Sequence, residues 1–232
     1  GPHPAGNVGI QIHHTAPINK GDVVWTIDVQ AVATIGTLFL EGKYDASRVV
    51  ALTGAELKDT KYISTYQGAS ISTFVNGNTI GDNLRYVSGD VLTGKQIEAK
   101  GFLGFFDDQI TVLKEGDYYE AFGWVIPVKP RASISPTIPM AFYPEKLAAD
   151  TNTHGEQRAF VVTGQYESVL PMDIYPQHLL KAILVNDLET MEGLGIYEVV
   201  EEDFALCEFA CTSKQDIQAI LRKGLDMMRE QG

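Results

Sequence analysis

Residues 48–54 read RVVALTG and residues 61–74 read KYISTYQGASISTF. Short β-rich runs separated by glycines are typical of strands joined by tight turns. A short helix is predicted next, capped by Ser70 and running through Phe74. The predicted strands are 49–52, 61–66 and 84–87. Strand, strand, short helix and strand in this order are typical of a β-grasp module.

Upstream of this stretch, residues 28–40 (DVQAVATIGTLFL) repeat apolar side chains at helical spacing. Gly42 stands where such a helix would end. Most of the remaining positions are also apolar or small, and a helix that is apolar nearly all round is normally buried. We therefore predict a helix enclosed between two layers of the fold.

Downstream, the predicted strands 109–113 and 118–128 flank residues 114–117 (KEGD), which have the composition of a hairpin turn. Five prolines then fall between Pro127 and Pro144, which argues against regular structure. This stretch is predicted to be a proline-rich arm with an apolar docking surface. The docking residues would be Ile134, Ile138, Met140, Phe142 and Tyr143.

The last third of the chain carries helical signals. Pro176 precedes a helical pattern at 177–184, and proline is favoured at a first helical position. Residues 212–215 (TSKQ) have capping-box spacing ahead of a final helix that ends near Glu230. The apolar residues of that helix are Ile217, Ile220, Leu221, Gly224 and Met228. They form one stripe, which predicts an amphipathic helix covering a small helical domain.

The composition is that of an ordinary globular chain: 232 residues, 44% hydrophobic and 21% charged. The net charge of -12 disfavours nucleic acid and anionic lipid as partners, because both attract Lys and Arg. No apolar run reaches the roughly 20 residues that cross a bilayer, and no signal peptide is recognised. The expected compartment is the cytosol, and Gly1-Pro2 is interpreted as a scar of tag removal.

Few residues are candidates for chemistry. Cys207 and Cys211, spaced C-x-x-x-C, would supply only two of the four ligands that a zinc or iron-sulfur site needs. His13 and His14 are predicted in an extended stretch, where neighbouring side chains point to opposite faces and cannot chelate one ion. One of them is expected to be buried and the other exposed. The acidic run 198–203 is interpreted as a solvated helix start.

Sequence motifs for nucleotide binding and nucleophilic catalysis are missing. The chain contains no GxGxxG, GxxxxGK[ST] or GxSxG pattern. The residues alone therefore predict a mixed α+β chain with no catalytic residue, no cofactor-binding residue, no metal ligand and no cofactor.

Seven short blocks carry a resemblance to a known family. They are HPAG (3–6), IQIH (10–13), VWTI (24–27), IGTLF (35–39), RVVALTG (48–54), GASI (68–71) and VSGDVLTG (87–94). In this order they resemble the A subunits of the sodium-translocating NADH:quinone oxidoreductase family. RVVALTG and GASI resemble the soluble-ligand-binding β-grasp (SLBB) module of that family. The resemblance covers nearly the whole chain and corresponds to the C-terminal half of a full subunit.

The C-terminal part resembles a two-cluster ferredoxin domain that has lost its clusters. In related electron-transport subunits each ligand run reads C-x-x-C-x-x-C-x-x-x-C-P. Cys207 and Cys211 fit the last two ligand positions of one run, and 170–172 (LPM) fits the end of the other. The remaining positions would hold Phe160, Thr163, Tyr166, Glu201 and Phe204, with Thr212 in place of the proline. Most ligands are thus replaced, and Tyr166, Leu170, Phe204 and both cysteines are expected in the interior.

The resemblance implies four segments of an α+β fold. Residues 1–46 would be a remnant of a preceding α/β domain and form a partial α/β layer. Residues 47–100 would form the β-grasp, SLBB-like module, and 101–150 a β hairpin with the proline-rich arm. Residues 151–232 would form a degenerate ferredoxin-like helical domain without clusters.

The resemblance also implies a function. The chain is expected to be part of a peripheral subunit of the pump, at the cytoplasmic face of the bacterial inner membrane. Other subunits, chiefly membrane-embedded ones, would hold it there, and it would contribute to assembly and interact with quinone. Without a redox cofactor, the fragment alone is expected to be inactive. The alternative is a stand-alone β-grasp protein that binds a small soluble ligand, and the cysteine count disfavours a ferredoxin-type carrier.

Overall fold

The computed structural model describes residues 3–122, 147–161 and 164–231. They divide into two compact units. Described residues 3–26 and those from Gly155 onward form the helical unit. Described residues 27–122 and 147–154 form the β unit. The segment 1–46, treated above as one piece, is therefore divided between the two units.

The helices of the described residues are mostly short. The α-helices are α1 (Val8–Thr15), α2 (Val29–Glu41), α3 (Ser72–Val75), α4 (Pro176–Leu184), α5 (Leu188–Gly193), α6 (Ala205–Ala210) and α7 (Ile217–Gln231). Two 3-10 helices, Ile196–Glu198 and Glu201–Phe204, lie between α5 and α6. None of the helices in the described parts of the chain is both long and apolar enough to pass through a bilayer.

The β unit is built on one mixed sheet of five strands. These are β1 (Ser47–Thr53), β2 (Lys61–Tyr66), β3 (Leu84–Ser88), β4 (Lys95–Ile97) and β5 (Gln109–Lys114). Their order across the sheet is β2-β1-β5-β3-β4, with β5 parallel to β1 and antiparallel to β3. The predicted strands that became β1, β2, β3 and β5 are confirmed. β4 was not predicted, because three residues are too few to show an alternating pattern.

The interior of the β unit is formed by side chains of its central strands and of the short helical segment. Val50 on β1 is fully buried, as are Ile110 and Val112 on β5. Ile71 and Val75, at the start and end of the short helical segment, pack against the same cluster. Because β5 lies at the centre of the sheet, the sheet extends beyond residue 100, where the sequence analysis ends the β-grasp segment.

Two local predictions in the β unit are wrong. Ser70 does not cap α3: Ile71 occupies the N-cap position, and the Ser70 hydroxyl lies 2.9 Å from the Ser72 hydroxyl. The predicted strand 118–128 is not present at residues 118–122, and residues 123–128 lie outside the described residues. The Asn152 side chain donates to the carbonyl oxygens of Gly116 and Tyr118, which satisfies backbone groups that a neighbouring strand would otherwise pair.

The proline-rich arm lies outside the described residues. The same is true of its proposed docking residues Ile134, Ile138, Met140, Phe142 and Tyr143.

Helix α2 has the predicted ends but not the predicted burial. The Asp28 carboxylate accepts from the Ala31 N–H, and Gly42 ends the helix with a positive φ of 68°. No residue of α2 is buried, and Phe39 is 84% exposed. The prediction that this helix lies between two layers is therefore wrong for the described residues.

The helical unit has one hydrophobic core. As predicted, α4 begins with Pro176, and the stripe of α7 faces inward, with Ile217 and Leu221 fully buried. The predicted capping box does not form. Thr212 donates to the Gln165 side chain, and Glu208 accepts instead from the backbone N–H of Gln218 in the first turn of α7.

Replacing Gly54 with alanine is expected to destabilise the β unit by about 2 kcal/mol. Gly54 has a φ of 114°, and a Cβ there would lie 2.1 Å from the carbonyl oxygen of Val112 on β5. Urea unfolding of the whole chain measures the effect. Gly42→Ala is the matched control, because Gly42 also has a positive φ but nothing within 4 Å of its Cβ position. Equal losses for both variants would contradict the steric argument.

Candidate functional site

The two cysteines meet a tyrosine inside the helical unit. The Tyr166 hydroxyl lies 2.9 Å from Cys211 Sγ and forms a hydrogen bond with it. The Cys207 thiol donates to the Tyr166 carbonyl oxygen at 3.8 Å, and the Gln215 N–H donates to Cys211 Sγ. Cys207 lies on α6, and Cys211 ends that helix as its C-cap. The chain therefore holds both sulfur atoms by packing and by weak hydrogen bonds.

The resemblance to a ferredoxin domain placed further residues at ligand positions, and most of those that the structure describes lie in the same core. Leu170 and Phe204 are buried in the same core, and the Phe160 ring meets the Tyr166 ring edge-on at 6.3 Å. The predicted interior placement of Tyr166, Leu170, Phe204 and both cysteines is confirmed. Glu201 differs, because it forms an ion pair with Arg222. Thr163 lies outside the described residues.

The electrostatics of this core oppose thiol chemistry. Burial raises the pKa of Cys207 to about 12, and the nearby Glu167 carboxylate adds to the effect. Burial and the hydrogen bond to Cys211 also raise the pKa of Tyr166. Both groups stay protonated at neutral pH, whereas nucleophiles and metal ligands act as thiolates. Within the described ranges, no group of three or more His, Cys, Asp or Glu residues could hold a metal ion.

Both thiols are expected to resist alkylation in the native chain. At pH 8 we expect Cys207 to react with a thiol reagent roughly 1,000-fold more slowly than an exposed cysteine, because almost no thiolate is present. Labelling kinetics followed by mass spectrometry measure this, and the same chain in guanidinium is the control. Rapid modification of both cysteines in the folded chain would contradict the buried placement.

The histidine pair is not in an extended stretch, because both residues lie in the last turn of α1. The Asp173 N–H donates to His13 Nε2, so His13 Nδ1 carries the hydrogen and donates to Glu198 at 2.9 Å. His14 Nε2 lies 2.8 Å from the Pro171 carbonyl oxygen. His14 is exposed as expected, but His13 is only partly buried. The two rings bind different groups and do not form a chelating pair.

The acidic run 198–203 contains one residue that the sequence analysis misplaced. A 3-10 helix does begin at Glu201, but Asp203 is fully buried. One of its oxygens, Oδ2, accepts from the Val200 N–H at 3.2 Å, and the other, Oδ1, has no hydrogen-bond partner. Gly9 on α1 lies directly over the carboxyl group: a Cβ at this glycine would be 2.1 Å from Asp203 Oδ2. Burial raises the pKa of Asp203 to about 6.

Sequence comparison connects these features to a family. A family model described as the NqrA second alpha/beta domain matches residues 1–44, and one described as the NQRA C-terminal domain matches residues 49–99. The NqrA protein of the Na(+)-translocating NADH-quinone reductase of Yersinia pestis is 40% identical over 234 residues. This chain is similar to the NqrA subunits. The alignment covers 100% of the chain and 52% of the Yersinia protein, so the chain spans about half the length of that relative.

NqrA subunits from other bacteria match the chain with similar identity and coverage. Those of Serratia proteamaculans (strain 568) and Neisseria meningitidis serogroup B are 41% and 39% identical, with the same coverage. The match at residues 49–99 is to the SLBB module of NqrA and includes β1 to β4. The resemblance found in the sequence is therefore confirmed, including its extent of about half the length of an NqrA protein.

Proposed function

We propose that this chain forms the C-terminal half of an NqrA protein in a Na+-translocating NADH-quinone reductase. Its role there is assembly of the complex, and it carries no electrons itself. The observation that carries the proposal is the uniform identity of about 40% to NqrA subunits over the whole chain. Proteins that align over this length at this level of identity are expected to share contacts as well as a fold.

The core of the helical unit supports its origin as a ferredoxin-like domain without clusters. In two-cluster ferredoxins the fourth cysteine of one run binds the cluster held by the first three of the other run. Tyr166 corresponds to a third position and Cys211 to the fourth position of the opposite run, and these two side chains are hydrogen bonded. Leu170, the other fourth position, shares a core with Phe204 and Cys207. Side chains now fill the volume that the clusters would occupy. Without clusters, the domain has no redox centre.

The topology of the β unit supports the β-grasp assignment. A β1-β2 hairpin is followed by the short helix α3, and β5 then returns to the centre of the sheet beside β1. In our proposal the SLBB-like module comprises residues 47–100 together with β5. The other segments keep the bounds derived from the sequence, 1–46, 101–150 without β5, and 151–232, and residues 1–46 contribute to both compact units.

Charge supports attachment through protein contacts. With a net charge of -12, the chain would be repelled by anionic lipid headgroups. Cytoplasmic loops of membrane proteins carry an excess of Lys and Arg, which suits an acidic partner. We therefore place the chain at the cytoplasmic face, held by membrane-embedded subunits of the pump. An interaction with quinone belongs to the proposal, although none of the described residues is assigned to it.

A hybrid NqrA protein tests the proposal. The aligned part of Yersinia pestis NqrA is replaced with this chain in cells that lack the native protein. The complex is then purified through a tag on a different subunit. We expect the hybrid to co-purify and to restore NADH-quinone reductase activity, whereas the isolated chain neither oxidises NADH nor reduces quinone. Native Yersinia NqrA is the positive control.

Two results would count against the proposal. One is a hybrid protein that is folded and present in the cell but missing from the purified complex. The other is a stoichiometric small molecule bound to the isolated chain in native mass spectrometry, which would favour the stand-alone β-grasp binding protein.

A further inference from the structure

Helix α2 exposes its apolar side chains to solvent and covers several of its polar ones. Its partly covered positions include Gln30, Thr34 and Thr37, which are polar and spaced four and three residues apart. The strongly exposed positions are apolar: Val29, Val32, Ile35, Leu38, Phe39 and Leu40. An amphipathic helix normally does the opposite and buries its apolar stripe. The described residues therefore leave the apolar stripe of α2 uncovered.

The attachment of α2 leaves this stripe free. The Gln30 side chain donates to the Val49 carbonyl oxygen and accepts from the Val49 N–H, in the manner of a neighbouring strand. Asp28 forms an ion pair with Arg48 at 3.2 Å. Both anchors lie at the N-terminal end of the helix and on its polar side. They hold α2 to the edge of β1 and cover none of the apolar stripe.

We infer that the apolar stripe of α2 packs against the sheet of an α/β domain whose strands lie outside this chain. Residues 1–44 match the second α/β domain of NqrA, and an α/β domain needs a sheet for its helices to cover. Within residues 3–44, the described part of this match, there are two helices and no strand. The sheet must then come from the rest of the same domain in the longer protein.

The relatives are long enough to contain that sheet in the part that this chain does not cover. This chain covers only 52% of their length, and the matched models are a second domain and a C-terminal domain. The relatives therefore contain at least one more domain and the remainder of the second. Residues 23–27 (VVWTI), just before α2, are a continuous apolar run typical of a strand in a buried parallel sheet. They pair with none of the five strands in the described structure.

Other occupants fit α2 less well. A helix that binds a membrane surface usually carries basic residues beside its apolar stripe. The only charged side chain on α2 is that of Glu41. The helix also has only 13 residues, too few to span a bilayer. If a second copy of the chain covered the stripe, the α/β domain would still lack the sheet that its helices need. The inference does not depend on membership of the pump, because it concerns contacts within one polypeptide.

Single cysteines placed on the surface test this interface. Phe39→Cys and Phe106→Cys replace phenylalanines that are 84% and 85% exposed, one on the α2 stripe and one elsewhere on the β unit. Both native cysteines are buried, so they contribute little background. Maleimide labelling rates are compared between the 232-residue chain and the full-length hybrid protein, purified without the other subunits.

We expect Phe39→Cys to label at least about 100-fold more slowly in the full-length hybrid than in the 232-residue chain. Phe106→Cys should label at the same rate in both. A second readout is Phe39→Asp, which should leave the melting temperature of the chain unchanged and lower that of the full-length hybrid. Phe106→Asp is its control and should lower neither.

Several outcomes would overturn the inference. Equal labelling of Phe39→Cys in both proteins would show that the stripe stays open in the whole protein. Protection that appears in the 232-residue chain only at high concentration would identify a second copy as the occupant. Protection that requires phosphatidylglycerol vesicles or the assembled pump would identify a membrane or a different subunit. A failed hybrid complex combined with protected Phe39→Cys would reject the pump assignment but keep this interface.

Discussion

Replacing Phe204 with alanine is expected to lower the free energy of unfolding of the helical unit by about 3–5 kcal/mol. Phe204 is fully buried in the core that also contains the cysteine pair and the stripe of α7. Removing the ring loses its burial and leaves a cavity that surrounding helices cannot easily close. Urea unfolding followed by circular dichroism at 222 nm measures the loss.

Phe209 provides the matched control for this prediction. It lies on α6, five residues further along, and is 44% exposed. Phe209→Ala is expected to cost less than about 1 kcal/mol, because its ring is only partly removed from water. If Phe204→Ala costs no more than Phe209→Ala, packing of the Phe204 ring does not stabilise this core.

Features with local causes could be predicted from the sequence. Helix α2 was placed correctly because Asp28 and Gly42 act within one turn of its ends. Strands β1 and β2 were placed correctly because alternation and glycine punctuation are visible in the residues themselves. The interior placement of Cys207, Cys211 and Tyr166 was predicted from the resemblance to a ferredoxin-type ligand pattern, and these three side chains are buried together.

Features that depend on distant residues could not be predicted. The composition of α2 suggested burial, but none of its residues is buried in the described structure. The KEGD turn has hairpin composition, but Asn152 satisfies its backbone groups from a later part of the chain. His13 and His14 lie in a helix of only eight residues. Its contacts with Pro171 and Glu198 are distant in sequence, so no local pattern predicts them.

Asp203 is the clearest case of a residue whose environment the sequence conceals. In an acidic run, a solvated carboxylate is the ordinary expectation, and nothing near Asp203 in the sequence suggests otherwise. Gly9 of α1, almost the full length of the chain away, excludes water from it. Asn7 contributes to the same contact by donating to the Glu202 carbonyl oxygen. The first helix thus closes over the acidic run, and the charge of Asp203 opposes that closure.

The stability of the helical unit is therefore expected to fall as the pH rises from about 4 to about 6. The pKa of Asp203 is raised from 3.8 to about 6 in the folded chain, mainly by burial. A raised pKa means that the folded state binds the proton more tightly than the unfolded state. The stability that this provides is complete below the unfolded pKa and is lost as the pH passes the folded value. A shift of two pKa units corresponds to about 3 kcal/mol.

The difference between the wild-type chain and Asp203→Asn isolates this contribution, because other carboxyl groups of the unit also titrate. Burial raises the pKa of Glu208 as well, whereas hydrogen bonds from Thr190 lower the pKa of Asp187. Urea unfolding at several pH values between 4 and 7 should show that the advantage of wild type over Asp203→Asn shrinks by about 3 kcal/mol across this range. For Glu189→Gln, at an exposed position of α5, the difference in unfolding free energy from wild type should stay constant across this pH range. A constant difference between wild type and Asp203→Asn would mean that water reaches Asp203, and that α1 does not seal the acidic run.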